Sequence, residues 1–223
     1  MIEIKNLYFS YSDSPTYLLE DLNFTVNNGD YVSILGENGC GKSTLVKMLL
    51  KLLFPQKGSI HSDFKKIGYV PQRFENFNSQ FPLTVYELLN STRKVLKIKD
   101  KEVINNSLSM VKMEAYKNRL VGTLSGGQFQ KILIAKALIG SPELLILDEP
   151  STGIDVKSQG EIYSLIKDLN INNKLTIISI EHNIDAALFY SSYILHVQDG
   201  KGKIYYPDKY SELQKAGVLH VAL

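Results

Sequence analysis

Apolar and polar positions alternate, or form short apolar runs, towards both ends of the chain, and these patterns predict β-strands. We expect strands at residues 2–9, 18–26, 31–35, 66–70, 143–147, 175–180 and 193–197. A helix-patterned segment at 156–170 separates two of the later strands. Strands that alternate with helices are typical of a parallel sheet, so we predict an α/β fold with a β-rich opening.

Elsewhere the apolar positions follow the period of a helix. This spacing occurs at 45–53, 84–92, 100–113 and 126–139. Pro55 and Gly58 are expected to end the first of these helices. Because residues 84–140 contain no convincing strand pattern, internal repeat or long linker, we interpret this region as a helical lobe inserted into the sheet.

Composition and charge exclude several classes of protein. The 223 residues are 44% hydrophobic, which suits a full core, and a net charge of +2 is too balanced to indicate a nucleic-acid surface. Cys40 is the single cysteine, which excludes an internal disulfide and favours a reducing compartment. Met1 opens directly into a strand pattern, so we expect no secretory signal. No segment approaches the roughly 20 apolar residues that span a bilayer, so we expect any membrane role to require a partner.

The segment 36–44 reads GENGCGKST and lies between an apolar strand and an amphipathic helix, as the phosphate loop called Walker A requires. Its glycines let backbone N–H groups converge on phosphate oxygens at a helix N-terminus. We expect Lys42 to neutralise the β and γ phosphates of ATP, Ser43 to bind Mg²⁺, and Thr44 to add an oxygen contact. The candidate nucleotide-binding residues of this loop are Gly36, Asn38, Gly39, Cys40, Gly41, Lys42, Ser43 and Thr44.

Two adjacent carboxylates end the apolar run LLILDEP at 144–150. Open parallel sheets bind ligands at the carboxyl ends of their strands. We expect Asp148 to hold Mg²⁺ directly or through water, and Glu149 to accept a proton from the attacking water. Two adjacent carboxylates after a strand ordinarily lie in a solvated loop without a catalytic role. The phosphate loop earlier in the chain is what favours a catalytic function here.

The segment LSGGQFQ at 124–130 comes before an apolar-patterned helix. The Ser125 side chain and the Gly126 and Gly127 amides at this helix start form a second candidate anion site, with Gln128 in the same motif. The segment is similar to the signature motif that distinguishes ABC ATPases from other phosphate-loop enzymes. The resemblance covers about residues 2–200.

The resemblance implies a phosphate-loop NTPase (RecA-like) core with an N-terminal antiparallel β subdomain and an inserted α-helical subdomain. The core and β subdomain are assigned to 1–72 and 141–223, and the helical subdomain to 73–140. In ABC ATPases two copies dimerise head to tail, and the signature of one copy caps the γ-phosphate bound by the other. We therefore expect this chain to use ATP and Mg²⁺ and to pair with a second copy of itself.

The resemblance also implies roles for residues outside these three motifs. Tyr11, in LYFSYSDSPTYLLEDLNF, matches the aromatic residue that stacks on adenine. Gln72, in GYVPQ, matches the glutamine that contacts Mg²⁺ or the attacking water. The alternatives for the adenine contact are Tyr8, Phe9 and Tyr17.

Two further positions match the family near the carboxylate pair. Asp155, in STGID, matches an aspartate at the dimer seam, and His182, in ISIEHN, matches a histidine at the γ-phosphate. The remaining histidines match nothing and are assigned to the surface or to satisfied core positions. They are His61, His196 and His220.

The chain departs from the commonest family pattern at two positions. Lys131 follows Gln130 at a point where sequences of the LSGGQ type usually continue with Gln-Arg, so the charge is kept but bidentate geometry is lost. Asn183 replaces the aspartate that often follows the histidine. Neither change removes a phosphate contact, so we expect an effect on turnover rate more than on activity itself.

The runs PQRFENFNSQFPLTVYELL, FSYSDSPTYLLEDLNFTV and TGIDVKSQGEIYSLIKDLN look like those of ATPases from zinc importers, and manganese importers are similar. Cobalt or nickel importers and vitamin energy-coupling ATPases are an alternative, as is a soluble ABC ATPase of the iron–sulfur assembly type. An inactive regulatory module is disfavoured because Lys42, Asp148, Glu149 and His182 are all present.

An importer ATPase implies integral membrane permease subunits as partners and, indirectly, a substrate-binding protein. Its place would be the cytoplasmic face of the cell membrane. We expect residues 73–86, which carry Phe74, Phe77 and Phe81, to form the face that docks the permease, because three aromatic residues on a loop are costly in water. Packing of these rings under the helical lobe is the alternative.

Overall fold

The computed structural model describes residues 1–11, 16–72 and 82–219. The strands in this part of the chain are β1 (Ile2–Phe9), β2 (Leu19–Val26), β3 (Tyr31–Leu35), β4 (Lys57–Ser62), β5 (Ile67–Val70), β6 (Leu144–Asp148), β7 (Thr176–Ile180), β8 (Tyr193–Gln198) and β9 (Lys201–Tyr205). The helices are α1 (Lys42–Leu49), α2 (Val85–Val95), α3 (Glu102–Met110), α4 (Gly126–Leu138), α5 (Val156–Asn173), α6 (Ile184–Tyr190) and α7 (Pro207–Lys215). Two short 3₁₀ turns, Glu114–Tyr116 and Val121–Thr123, precede α4.

The strands form two sheets. One is antiparallel with the order β2-β1-β4, and the other has the order β5-β6-β7-β3-β8-β9. The first five strands of the larger sheet are parallel, whereas β9 runs antiparallel to β8. The predicted α/β fold with an N-terminal antiparallel sheet is confirmed. Strand β9, which the sequence patterns did not predict, adds one antiparallel strand to the edge of the parallel sheet.

The central strands β3, β6 and β7 are buried at every position, because α-helices or the smaller sheet cover both faces of the larger sheet. Helix α1 contributes Leu45, Val46, Met48 and Leu49 to an apolar cluster that it shares with residues of both sheets. The sequence pattern extended this helix to residue 53, but it ends at Leu49. Lys51 adopts a left-handed conformation with φ of 59°, which stops the helix before Pro55 is reached.

Helices α2, α3 and α4 pack against one another, and their buried apolar residues belong to the same cluster as those of β6, β7 and α5. Thr84 starts α2 with a capping box, in which its side chain accepts from Glu87 N and Glu87 accepts from Thr84 N. The boundaries of the inserted lobe at residues 73 and 140 stay a prediction. The predicted docking face falls largely on residues 73–81, including Phe74, Phe77 and Phe81, which lie outside the described residues.

Two of the three unmatched histidines lie where the sequence analysis expected them. His61 is exposed and its Nε2 lies 3.0 Å from Oδ1 of Asp63, whereas His196 is buried with Nδ1 3.0 Å from the Tyr210 hydroxyl. His220 lies outside the described residues. Across the described ranges, no helix has the combined length and apolar character needed to cross a membrane.

Candidate functional site

The phosphate loop connects the end of β3 to the start of α1. Gly41 is the N-cap of α1 and has a φ of 103°, a left-handed conformation that side chains disfavour. A Cβ atom on Gly41 would also lie 2.6 Å from the Leu19 side chain. The loop backbone therefore requires glycine at this position, for both its dihedral angle and its packing.

Lys42 lies beneath the loop with only 6% of its surface exposed. Its Nζ donates to the carbonyl oxygens of Gly36 at 2.6 Å and Glu37 at 2.8 Å. Because these two acceptors are neutral carbonyls, the charge of Lys42 stays available to phosphate oxygens, which form stronger charge-assisted bonds. The neighbouring Ser43 is exposed, so its hydroxyl is accessible to a ligand.

Tyr11 lies next to the phosphate loop and is 62% exposed. Its hydroxyl is 3.1 Å from Oγ1 of Thr44, and Phe9 packs edge-to-face against its ring with centroids 5.0 Å apart. The alternatives Tyr8 and Tyr17 pack against each other instead, with Nζ of Lys57 over both rings. This contact between Tyr11 and the loop favours Tyr11 for the adenine contact.

We expect Tyr11→Ala to weaken the binding of ATP by about fivefold or more, because base stacking contributes about 1–3 kcal/mol per base. Titration of a fluorescent ATP analogue measures the loss. Tyr17→Ala is the matched control, since it removes a nearby tyrosine whose ring contacts Tyr8. Equal losses in the two variants would contradict the assignment of the adenine contact to Tyr11.

Asp148 ends β6 with 8% of its surface exposed. Its Oδ2 accepts a long hydrogen bond of 3.4 Å from the Tyr69 hydroxyl, while Oδ1 is buried and has no hydrogen-bond partner among the described residues. Burial, together with the negative charge of Glu149, raises the pKa of the Asp148 carboxyl. A buried carboxylate oxygen without a partner is what a cation ligand would satisfy.

Glu149 follows Asp148 in a left-handed conformation with a φ of 51°. Such a backbone angle is uncommon for a residue other than glycine, and strain of this kind clusters at functional sites. The side chain accepts three hydrogen bonds: from Nε2 of His182 at 2.7 Å, from Oγ1 of Thr152 at 3.0 Å, and from Nε2 of Gln72. The structure thus brings together Gln72, Glu149 and His182, which lie far apart in the sequence.

These contacts determine the charge of Glu149. Burial by itself raises the pKa of this carboxyl, but the hydrogen bonds from His182, Thr152 and Gln72 outweigh burial and bring the pKa below its ordinary value. Glu149 is therefore ionised at neutral pH, the state in which a carboxylate can accept a proton.

The signature segment forms the start of α4. Ser125 is its N-cap and forms a capping box with Gln128, with bonds of 3.3 Å from Gln128 N to Ser125 Oγ and 3.1 Å from Ser125 N to Gln128 Oε1. Nε2 of Gln128 also donates to the Tyr116 hydroxyl at 3.0 Å. Ser125 and Gly126 are exposed at this helix N-terminus, as an anion site on the protein surface requires.

Gly127 has a packing function that the motif did not reveal. A Cβ atom on Gly127 would lie 2.6 Å from the Ser158 Cβ, so the missing side chain allows α4 to approach α5. Lys131 joins the same two helices through an ion pair of 2.7 Å with Glu161. The lysine that departs from the family pattern is therefore engaged between α4 and α5.

Asp155 and Asn183 both cap helices. The Asp155 side chain is exposed and accepts from Ser158 N at 3.0 Å at the start of α5, and this bonding lowers the pKa of its carboxyl. The Asn183 side chain accepts from Ala186 N at 3.0 Å at the start of α6. Asparagine and aspartate cap equally well, so the departure at Asn183 keeps the local structure. The role of Asp155 at a dimer seam stays a prediction.

Sequence reasoning missed several side chains of the site. The Thr152 hydroxyl donates a hydrogen bond to Glu149, and the Tyr69 hydroxyl donates one to Asp148. The Tyr163 hydroxyl donates to the buried Glu181, the residue before His182. The position of Glu181, an acidic residue between a largely apolar strand and a candidate catalytic histidine, could have indicated it. Tyr163 lies in an ordinary amphipathic helix pattern, and its sequence context carries no such indication.

Cys40 lies in the phosphate loop and is partly buried. Burial raises the pKa of its thiol, and the nearby charge of Lys42 offsets this only in part. We expect a bulky maleimide to label Cys40 slowly at neutral pH and faster at alkaline pH, to block ATPase activity, and to be excluded by bound ATP. Mass spectrometry of the labelled thiol and parallel rate measurements test this, with Cys40→Ser as the control. Full labelling that leaves the rate unchanged would contradict it.

The fold and the site define a phosphate-loop ATPase. A family model described as ABC transporter matches residues 19–152, and the chain belongs to this family. It is 46% identical to the "Probable metal transport system ATP-binding protein" of Treponema pallidum over 93% of this chain and 87% of the relative. It is 39% identical to the zinc uptake system ATP-binding protein ZurA of Listeria innocua over 88% of this chain and 82% of the relative.

A solved structure is similar as well. The dimeric bacterial ABC transporter cassette MJ0796 superposes with a TM-score of 0.76 at 27% identity, covering 93% of this chain and 99% of that chain. The predicted resemblance to ABC ATPases is confirmed, and so is the prediction that the chain is an ATPase whose activity is coupled to transport.

Proposed function

We propose that this chain is the ATP-hydrolysing subunit of an ABC importer for zinc or manganese, and that ATP-driven closure of a dimer powers the transport. The observation that carries the catalytic part is the cluster around Glu149. An ionised carboxylate, held by Gln72 and His182, lies beside a buried oxygen of Asp148 that has no partner in the described part of the chain.

The proposed roles follow from the chemistry of each side chain. When ATP binds, Nζ of Lys42 replaces its hydrogen bonds to two backbone carbonyls with bonds to the β and γ phosphates, and the loop residues 36–44 hold the phosphate chain. Glu149 accepts the proton of the attacking water, His182 orients Glu149 and contacts the γ-phosphate, and Gln72 orients the water. Tyr11 stacks on the adenine.

The site also fits Mg²⁺, which would supply charge neutralisation between the β and γ phosphates. This ion prefers oxygen ligands, and three are present: Oδ1 of Asp148, which has no hydrogen-bond partner within the described ranges, the exposed hydroxyl of Ser43 and the amide oxygen of Gln72. We assign these three residues to it.

Closure of a head-to-tail dimer would complete each site with the signature of the other copy. Ser125, Gly126, Gly127 and Gln128 would then cap the γ-phosphate, with Asp155 at the seam. The exposure of Ser125 and Gly126 at the start of α4 and the dimeric arrangement of the similar cassette MJ0796 support this proposal.

The transported ion is inferred from relatives. Proteins similar to this chain are named as zinc uptake or metal transport ATP-binding proteins, and these names favour a metal ion, zinc first, over a vitamin or iron–sulfur assembly. Manganese is retained from the sequence resemblance. Such a subunit works with integral membrane permeases at the cytoplasmic face of the membrane, and the permease receives its ion from a substrate-binding protein.

Uptake of radiolabelled ions by cells that lack this chain tests the proposal. Uptake of zinc or manganese should fall, and the chain should restore it, whereas Glu149→Gln should not. Loss of cobalt or nickel uptake alone would favour the alternative importer. Unchanged uptake of all four ions would contradict the proposed function while leaving the ATPase chemistry intact.

A further inference from the structure

A buried carboxyl group is adjacent in the chain to the candidate catalytic residue His182. Glu181 follows β7, precedes His182 and has 1% of its surface exposed. Its Oε1 accepts from the Ser179 hydroxyl, and its Oε2 accepts from the Tyr163 hydroxyl at 2.6 Å. Burying a carboxyl group costs free energy unless its hydrogen bonds are satisfied, so this residue type needs a physical reason at this position.

The hydrogen bonds of Glu181 continue to the loop that carries Glu149. The Tyr163 hydroxyl is 2.7 Å from Oγ of Ser151, a buried residue two positions after Glu149. Tyr163 lies on α5 and is held by a stacked contact with Tyr190, with ring centroids 5.5 Å apart. The path therefore runs from Glu181 through one rigid aromatic side chain to Ser151.

The same two loops also meet directly in the site. Nε2 of His182 is 2.7 Å from Oε1 of Glu149, and the backbone N–H of Glu149 donates to the carbonyl of Ile180 at 3.1 Å. These direct contacts and the path through Glu181, Tyr163 and Ser151 therefore join the two loops twice and form a closed ring. A ring of this kind fixes the distance between His182 and Glu149 more tightly than the two direct contacts alone would.

We propose that Glu181 is a positioning residue for ATP hydrolysis, which acts through Tyr163 and Ser151 to hold His182 against Glu149. This inference rests on the proposed roles of His182 and Glu149. Glu181 contacts neither of their side chains in the hydrogen bonds described, so its effect is on the geometry of the site.

The protonation state of Glu181 decides the direction of the hydrogen bonds along this path. Ionised Glu181 accepts from Tyr163, whose oxygen then accepts from Ser151. A proton on Glu181 lets the carboxyl donate to Tyr163, which then donates to Ser151. The ionised state gives the shorter and stronger charge-assisted bonds, so we assign the tightly held geometry to it.

The structure places this change near neutral pH. Burial raises the pKa of Glu181, the hydroxyls of Ser179 and Tyr163 oppose burial, and the charge of Glu149 adds to it, which brings the pKa to about 7. The titratable and charged groups near Glu181, or near the tyrosines that surround it, come from β3, α5, α6 and the loop after β6. They are Tyr31, Tyr163, Lys167, Tyr190 and Glu149.

Steady-state ATPase kinetics of Glu181→Gln and Tyr163→Phe test the proposal. Each variant should lower kcat by about tenfold, with KM for ATP changed by less than about twofold, because the lost bond orients catalytic groups without touching the nucleotide. The kcat of the unmodified chain should rise with pH through about 7, and Glu181→Gln should remove that rise. Combining the two substitutions should cost no more than either alone, since both break one path.

Tyr210→Phe is the matched control. It also deletes a buried tyrosine hydroxyl, one that bonds Nδ1 of His196 at 3.0 Å, and should leave kcat and its pH profile unchanged. Thermal unfolding establishes that each variant is folded. A folded Tyr163→Phe with unchanged kcat and pH profile overturns the proposal, as does a rise near pH 7 that persists in Glu181→Gln.

His182→Ala separates this inference from the proposed function. If His182→Ala keeps the full rate, the role proposed for His182 is wrong. If His182→Ala is inactive while Glu181→Gln and Tyr163→Phe retain full rate and normal pH dependence, only the positioning role of Glu181 is wrong.

Discussion

Glu149→Gln should lower the ATPase rate by between about a hundredfold and ten-thousandfold, the contribution typical of a general base, while ATP still binds. Glutamine keeps the shape of glutamate but cannot accept the proton of the attacking water. Because the pKa of the Glu149 carboxyl is lowered and the group is ionised at neutral pH, the substitution removes the proposed proton acceptor. ATP should therefore persist in the site and hold the two copies together.

Size-exclusion chromatography with and without ATP measures this expected dimer, and single-turnover hydrolysis measures the rate. Glu212→Gln is the matched control, because Glu212 is exposed on α7 and pairs with Lys209. It should behave like the unmodified chain in both assays. A Glu149→Gln variant that stays monomeric with ATP, or that hydrolyses at the normal rate, would contradict the assignment.

Lys42→Ala should weaken ATP binding or hydrolysis by about thirtyfold or more, since truncating one partner of a buried charge pair costs about 2–5 kcal/mol. Ser125→Arg should also abolish activity, but through a different defect. A bulky charged side chain at the exposed start of α4 should prevent this segment from capping the γ-phosphate of the other copy, while the phosphate loop still binds nucleotide. Equilibrium binding and ATPase assays distinguish the two defects. Lys209→Ala is the control for loss of an exposed lysine.

Mixing the two inactive variants tests whether the site is shared between copies. In a head-to-tail heterodimer, one composite site carries both substitutions and the other carries neither. Activity should therefore return on mixing, up to the level that one intact site per pair supports. No recovery at any ratio, together with a rate strictly proportional to the concentration of unmodified chain, would mean that each copy completes its own site.

The sequence located the residues of the candidate site better than it located all of the elements that surround them. Lys42, Asp148 and Glu149 are chemically demanding positions, and their residue types and spacing are visible without a structure. Strand β4 was not predicted, because most of its residues are exposed and it is held by backbone pairing with β1. An exposed strand of this kind carries no apolar alternation that a sequence reading could detect.

Contacts between distant segments were also beyond the sequence reading. Tyr163 reads as one apolar position of an amphipathic helix, and only the packing of α5 against the main sheet brings its hydroxyl to Glu181. The double function of Ser125 and Gln128, which start α4 as well as form the candidate anion site, likewise depends on helix geometry. Local pattern identifies the chemistry of a residue, whereas tertiary packing decides which partners it has.

The burial of Lys42 links the folding of this protein to its affinity for nucleotide. A free lysine side chain loses about 1.5–2 kcal/mol of rotamer entropy when it is ordered. The carbonyls of Gly36 and Glu37 already order Lys42 in the folded chain, so this cost falls on folding rather than on binding. Substitutions that loosen the phosphate loop should therefore weaken nucleotide binding even where they touch no atom of the nucleotide, because the lysine would then lose its conformational freedom during binding.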